Sequence, residues 1–165
     1  MGQLTLRFER LTLLLVAGLF MAVSSLTGAA QKDADVAVVI HPDVPVDDLS
    51  LPEVRKILLA ERQFWSSGLR VTLLIRAPVA RERDVVLKTI YQMTEAQFRQ
   101  YWIAKVFRAE AAAGPKIVYS NDMATELVGG IPGSIAFVDA TKIPRGLKVL
   151  KIDGRQPGEK GYPLR

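Results

Sequence analysis

Residues 71–92 read Val-Thr-Leu-Leu-Ile-Arg, then Ala-Pro-Val, then Ala-Arg-Glu-Arg-Asp-Val-Val-Leu-Lys-Thr-Ile-Tyr-Gln. Val71 to Arg76 is a short run, apolar apart from Thr72 until its closing arginine. It lacks the alternation of a half-exposed strand, so it reads as a strand covered on both faces. Pro78 interrupts it. From about Ala80 to Gln92 the apolar residues change to helical spacing, with Val85, Val86, Ile90 and Tyr91 on one stripe. A covered strand that feeds an amphipathic helix is the unit from which α/β sheets are built.

The same alternation extends in both directions. Upstream, Asp35 to His41 is a β-branched run stopped by Pro42, and Pro42 to Asp48 carries prolines and aspartates suited to a loop. Ser50-Leu51-Pro52-Glu53 is a capping box that opens a helix to about Ala60, with Leu51, Val54, Ile57 and Leu58 inward. Gln63 to Gly68 is a turn with Phe64 and Trp65 paired in it, the aromatics here and at Tyr101 and Trp102 being read as core. Downstream, Thr94 and Gln97 repeat the capping pattern and open a helix to about Ala111. Its expected apolar face is Phe98, Tyr101, Trp102, Val106 and Phe107, and Gly114-Pro115 stops it. Ile117 to Tyr119 is a strand, Ser120 caps a helix to about Val128, and Gly129 to Gly133 is a glycine-rich turn. Ser134 to Asp139 and Leu147 to Ile152 are further strands, and Asp153 to Arg165 reads as a surface wrap. The fold class expected is α/β, an open, mixed sheet flanked by helices.

The N-terminus has a different character. Arg7 and Arg10 precede a 13-residue apolar run, Leu11 to Val23, followed by small residues up to Gly28-Ala29-Ala30. That is the pattern of a secretory signal peptide, with an uncleaved anchor helix as the alternative. The expected organisation is a leader at residues 1–30 and one domain at residues 31–165, placed in the periplasm. The sequence has no cysteine, so disulfides, thiol nucleophiles and a lipoprotein cleavage site are excluded.

Several functions are excluded or disfavoured. The net charge of +5 is scattered rather than gathered into a basic stripe with aromatics, which argues against nucleic acid. A mild positive excess suits a small anion or an acidic partner. His41 is the single histidine, which rules out a cluster of imidazole ligands. Asp43, Asp47 and Asp48 do not fit a calcium loop, and neither a cofactor nor a metal is expected. No pairing of nucleophile and base stands out, so the chain reads as a binder rather than an enzyme.

Three ordered segments carry a resemblance. They are Val38 to Pro42 with Leu49 to Leu58; Val71 to Arg76 with the helix after it; and Ile131 to Val138 with Leu147 to Gly154 and the closing Gly161-Tyr162-Pro163-Leu164. Together they resemble the substrate-binding proteins of phosphate ABC transporters, and more closely the short, single-lobe relatives of those proteins. The resemblance implies a single-lobe, type II periplasmic-binding-protein-like domain. It further implies an oxyanion such as phosphate held by Arg76 at a strand end and by the next helix start. The family's Ser-Gly-Thr at that start falls on Ala80, Arg81 and Glu82, where its hydroxyls are missing. The candidate ligand residues are therefore Arg76, the amides around Ala80, Arg81, Glu82 and Arg83, the side chains of Arg81 and Arg83, and Ser134 at the cleft edge. A membrane permease or a sensor protein is the partner this reading implies. The alternative is a ligand-free accessory module of a transport or signalling complex.

Overall fold

The computed structural model describes residues 34–165, and the expected leader at residues 1–30 lies outside the described residues. The sheet is built around β1 (Val36–Ile40), whose five side chains are all 0% exposed. Val36, Val38 and Ile40 enter the core on one face, whereas Ala37 and Val39 enter the core on the other. Strand side chains alternate, so an unbroken apolar run suits only a strand with both faces covered.

The remaining strands are β2 (Asp48–Leu49), β3 (Thr72–Arg76), β4 (Lys116–Val118), β5 (Ser134–Asp139) and β6 (Lys148–Ile152), in the spatial order β2-β6-β1-β5-β3-β4. β1 runs antiparallel to β5 and β6. β3 runs parallel to β4 and β5, and β2 parallel to β6, so the sheet is mixed as expected. On one face lie α1 (Leu51–Leu58), α2 (Arg81–Val86) and α3 (Glu95–Phe107), contributing Ile57, Val86 and Phe98 to the larger core. α4 (Asn121–Gly130) covers the other face with Ala124 and Val128.

Both expected capping boxes form. The Glu53 carboxylate accepts from the Ser50 amide at 2.9 Å and from its hydroxyl at 2.7 Å. These bonds hold the Glu53 carboxyl below the usual range. Thr94 and Gln97 exchange bonds at 2.9 and 3.2 Å. α2 continues into a π-type turn, Leu87–Tyr91, which closes at Gln92 in the left-handed region. At Gly133 (φ +77°) a Cβ would sit 2.3 Å from the Arg70 carbonyl oxygen. Only glycine allows that approach, and the Gly133 carbonyl in turn accepts from the buried Trp65 indole at 2.8 Å.

Four expectations are corrected. α3 ends at Phe107 rather than near Ala111, and Phe107 is 89% exposed, with Ile103 and Val106 exposed beside it. At about 100° per residue Phe107 lies about 180° around the helix from Phe98, so it cannot share its face. Phe64 is exposed while its neighbour Trp65 is core. The loop after Pro42 ends in β2, which pairs with β6, and Lys148 ties it down through Asp47 and the Val44 carbonyl, each at 2.8 Å. The C-terminal tail is not a surface wrap. Tyr162 and Leu164 are buried, the Val36 amide donates to the Leu164 carbonyl, and the Tyr162 hydroxyl donates to the Val36 carbonyl, both at 2.9 Å.

Leu164→Ala should therefore lower unfolding free energy by about 3 kcal/mol, as for a truncated core leucine. Phe107→Ala should stay within about 0.5 kcal/mol of the parent. Urea titration of both variants checks this, and equal stability of Leu164→Ala and the parent would remove the tail from the core.

Candidate functional site

The parallel strands β3, β4 and β5 end at one edge of the sheet, where α2 and α4 begin. In open α/β sheets this carboxyl edge is where ligands bind, because helix N-termini and loop amides converge there. The Ala77 amide donates to the Val118 carbonyl at 2.9 Å, which joins the ends of β3 and β4. Asn121 opens α4, and its side-chain oxygen accepts from the Asp139 amide at 3.0 Å, which brings in the end of β5.

Arg76 closes β3 at this edge, as the sequence places it. Its side chain is 11% exposed, and its Nε lies 3.5 Å from Oε2 of Glu82, itself 10% exposed. That contact is an ion pair without hydrogen-bond geometry, because Arg76 Nε and Nη1 are both buried without an acceptor. The other carboxylate oxygen, Oε1, accepts from the Asn121 amide at 3.1 Å. The Glu82 carboxylate thus enters the space between Arg76 and α4. Asn121 is a member of the cluster that sequence reading missed. The pattern there showed only Ser120 as a helix cap, a role it fills by accepting from Met123 at 2.9 Å.

The helix start is poorly capped. Ala80 is the N-cap of α2 and has no side-chain acceptor to offer, and its own amide donates to the Ala77 carbonyl at 3.3 Å. The first-turn amides of a helix, here those of Glu82 and Arg83, have no acceptor within the helix itself. Val79 precedes them at φ +67° and is almost fully exposed. A β-branched residue in the left-handed region is strained, and such strain gathers in ligand loops.

The other candidates are placed differently. Arg83 is neither an anion arm nor part of an exposed face. It is buried and grips Glu95 through Nε and Nη2, both at 2.8 Å, while Nη1 donates to the Arg76 carbonyl at 2.9 Å. Its guanidinium also lies 4.8 Å from the Phe98 ring centre. Arg81 acts on Asp139, whose carboxyl is held below the usual range by the Thr141 hydroxyl, with smaller help from Lys142 and Arg81. Ser134 is fully buried and its hydroxyl donates to the Val128 carbonyl at 3.2 Å, so it fastens β5 to α4 and does not face the edge. His41 accepts the Asp43 amide at Nδ1, a turn contact. Among the described residues no cluster of His, Cys, Asp or Glu is arranged to hold a metal ion, and no helix is long and apolar enough to cross a membrane.

Solved structures that share this fold include proteins of phosphate transport. The PstS protein of Borrelia burgdorferi superposes with a TM-score of 0.62 at 15% identity, over 79% of this chain and 54% of its own. An ABC-type phosphate transport receptor from Vibrio cholerae gives 0.60 at 15% identity, over 75% and 48%. A proposed phosphate ABC transporter substrate-binding protein from Clostridium perfringens, solved with phosphate bound, gives 0.60 at 16% identity, over 74% and 46%. The chain spans about half the length of these proteins. No family model matches the chain, and no curated relative does. Identities this low establish the α/β binding-protein fold and nothing finer.

The Arg83–Glu95 pair has a pH signature. Hydrogen bonds from Arg83 hold the Glu95 carboxyl below its usual range. A lowered folded-state pKa gives stability that is complete above the ordinary carboxylate range and lost as pH falls through the lowered value. Glu95→Gln should then be less stable than the parent at neutral pH, with the gap narrowing towards about pH 3. Urea midpoints at both pH values test this, and a gap that stays constant would mean the pair is not linked to acid unfolding.

Proposed function

We propose that this chain is an exported, solute-binding-type domain that recognises a small phosphate-like oxyanion weakly, through Arg76 and the first-turn amides of α2. One observation carries the reading. Arg76 is a nearly buried guanidinium with two donors lacking an acceptor, at the carboxyl edge of three parallel strands. A buried donor without an acceptor is costly, and a divalent oxyanion answers two such donors at once. The phosphate-binding structures that share the fold support the ligand class, and the leader pattern at residues 1–30 supports export.

Glu82 sets the strength. Its carboxylate already faces Arg76 and Asn121, so an incoming anion must displace a charge of the same sign. The chain also spans only about half the length of the phosphate-transport structures that share its fold. The anion would then sit on one lobe, open to water, unless a permease or sensor protein supplies the second wall. Water screening of an open site weakens each contact. Binding, not catalysis, is the class of activity. The second reading, a ligand-free accessory module, is favoured by Ile103 and Phe107, which are 69% and 89% exposed on α3.

Calorimetric titration with phosphate and sulfate separates the two. Removing the competing charge in Glu82→Gln should tighten phosphate binding about tenfold, and Arg76→Ala should abolish it. Should neither the parent nor Glu82→Gln take up any oxyanion, the binding reading is lost and the accessory-module reading stands.

A further inference from the structure

At the opposite end of β3 from Arg76 the fold carries a second concavity, a cleft of ≈ 200 Å³. Its apolar wall includes Ile57 from α1, Trp102 from α3 and Ala111 from the segment after α3, all buried. Three cations line the same cleft: Arg62 after α1, Arg70 before β3 and Lys116 at the start of β4. No aspartate or glutamate lines it. Among the described residues Arg70 and Lys116 enter none of the ion pairs with a carboxylate, whereas Arg62 donates to the Phe64 carbonyl at 3.4 Å and acts at longer range on Glu53. Several other cations of this domain meet carboxylates: Arg83 with Glu95, Lys105 and Arg108 with Glu110, and Lys148 with Asp47.

The cleft is also held open by the fold. Gln63 donates to the Glu110 carbonyl at 2.8 Å and bridges the end of α1 to the segment after α3. Tyr101 donates to the Leu59 carbonyl at 2.6 Å across the same junction. These ties fix two walls from distant parts of the chain, so the space does not depend on a ligand to form it.

We propose that this cleft binds a small amphipathic carboxylate, an aromatic ring or short acyl chain bearing one carboxyl group. The size fits, since an apolar cavity of roughly 150 Å³ accommodates benzene. The chemistry fits as well, because apolar walls with a few convergent polar groups are the usual make-up of a ligand pocket. The ring or chain lies against Trp102 and Ile57, and the carboxylate meets Arg62, Arg70 and Lys116. A bare inorganic anion would leave the apolar wall unfilled, and a neutral ring would leave the three cations unmatched. This site is independent of Arg76, which lies at the other end of the strand.

The test uses the full chain and three probes: phenylacetate, its neutral isostere phenylacetamide, and inorganic phosphate. Phenylacetate should perturb Trp102 fluorescence saturably, and that signal should disappear in Trp102→Phe. Phenylacetamide should bind about tenfold more weakly, the loss of a charge-assisted contact. The double variant Arg70→Gln/Lys116→Gln, if its unfolding midpoint matches the parent, should bind the acid and the amide alike. Should that variant unfold, Ala112→Trp at the cleft rim is the substitute, and it should block both organic probes. Arg76→Ala should leave phenylacetate binding unchanged. No saturable response to phenylacetate, equal binding of acid and amide to the parent, or displacement of phenylacetate by equimolar phosphate would each overturn the proposal.

Discussion

The arrangement of this edge depends on one buried guanidinium, and it is Arg83 rather than Arg76. Arg83 sits on the first turn of α2, yet it reaches the carbonyl that ends β3 and both oxygens of the Glu95 carboxylate at the start of α3. Three elements meet on a single side chain. A charge this buried is tolerated only when its donors are matched with good geometry, and the fork of arginine suits a carboxylate on one side and a carbonyl on the other. The orientation of α2 relative to β3 follows from that match, and with it the position of Glu82 and of the first-turn amides.

Glu82 then acquires a meaning that its neighbours alone do not give it. An acidic residue in the first turn of a helix is ordinarily a favourable partner for the helix dipole. Here the same residue lies against Arg76 and receives the Asn121 amide. The domain carries an internal carboxylate beside a nearly buried guanidinium. Glu82 approaches Arg76 without satisfying it, because Arg76 Nε and Nη1 keep no acceptor of their own.

Much of the fold was legible from residues 35–164. Both capping boxes were readable because the two partners of each lie three residues apart, so the interaction is local. The runs at Val36–Ile40 and Thr72–Arg76 were readable because a covered strand must be apolar on both faces. The failures have a common cause. Phe107 was placed inside by its character, although its angular position turns it outward. Tyr162 and Leu164 were placed outside because glycines and prolines surround them, yet they bond to β1 more than a hundred residues away in sequence. Of the candidate site, Arg76 was legible as a strand-end arginine. Asn121 was not, since its contacts with Glu82 and Asp139 join residues 39 and 18 positions distant.

The sequence by itself determined the class of the fold, the helix starts and the charge available at the end of β3, since each follows from spacing over a few residues. Tertiary structure alone decided which arginine is enclosed and which keeps donors in reserve. It also decided that Ser134 fastens β5 to α4 and that three cations line a cleft at the far end of the sheet. Local patterns report what a segment can form, whereas the partner of a charge is set by whatever the chain folds against it.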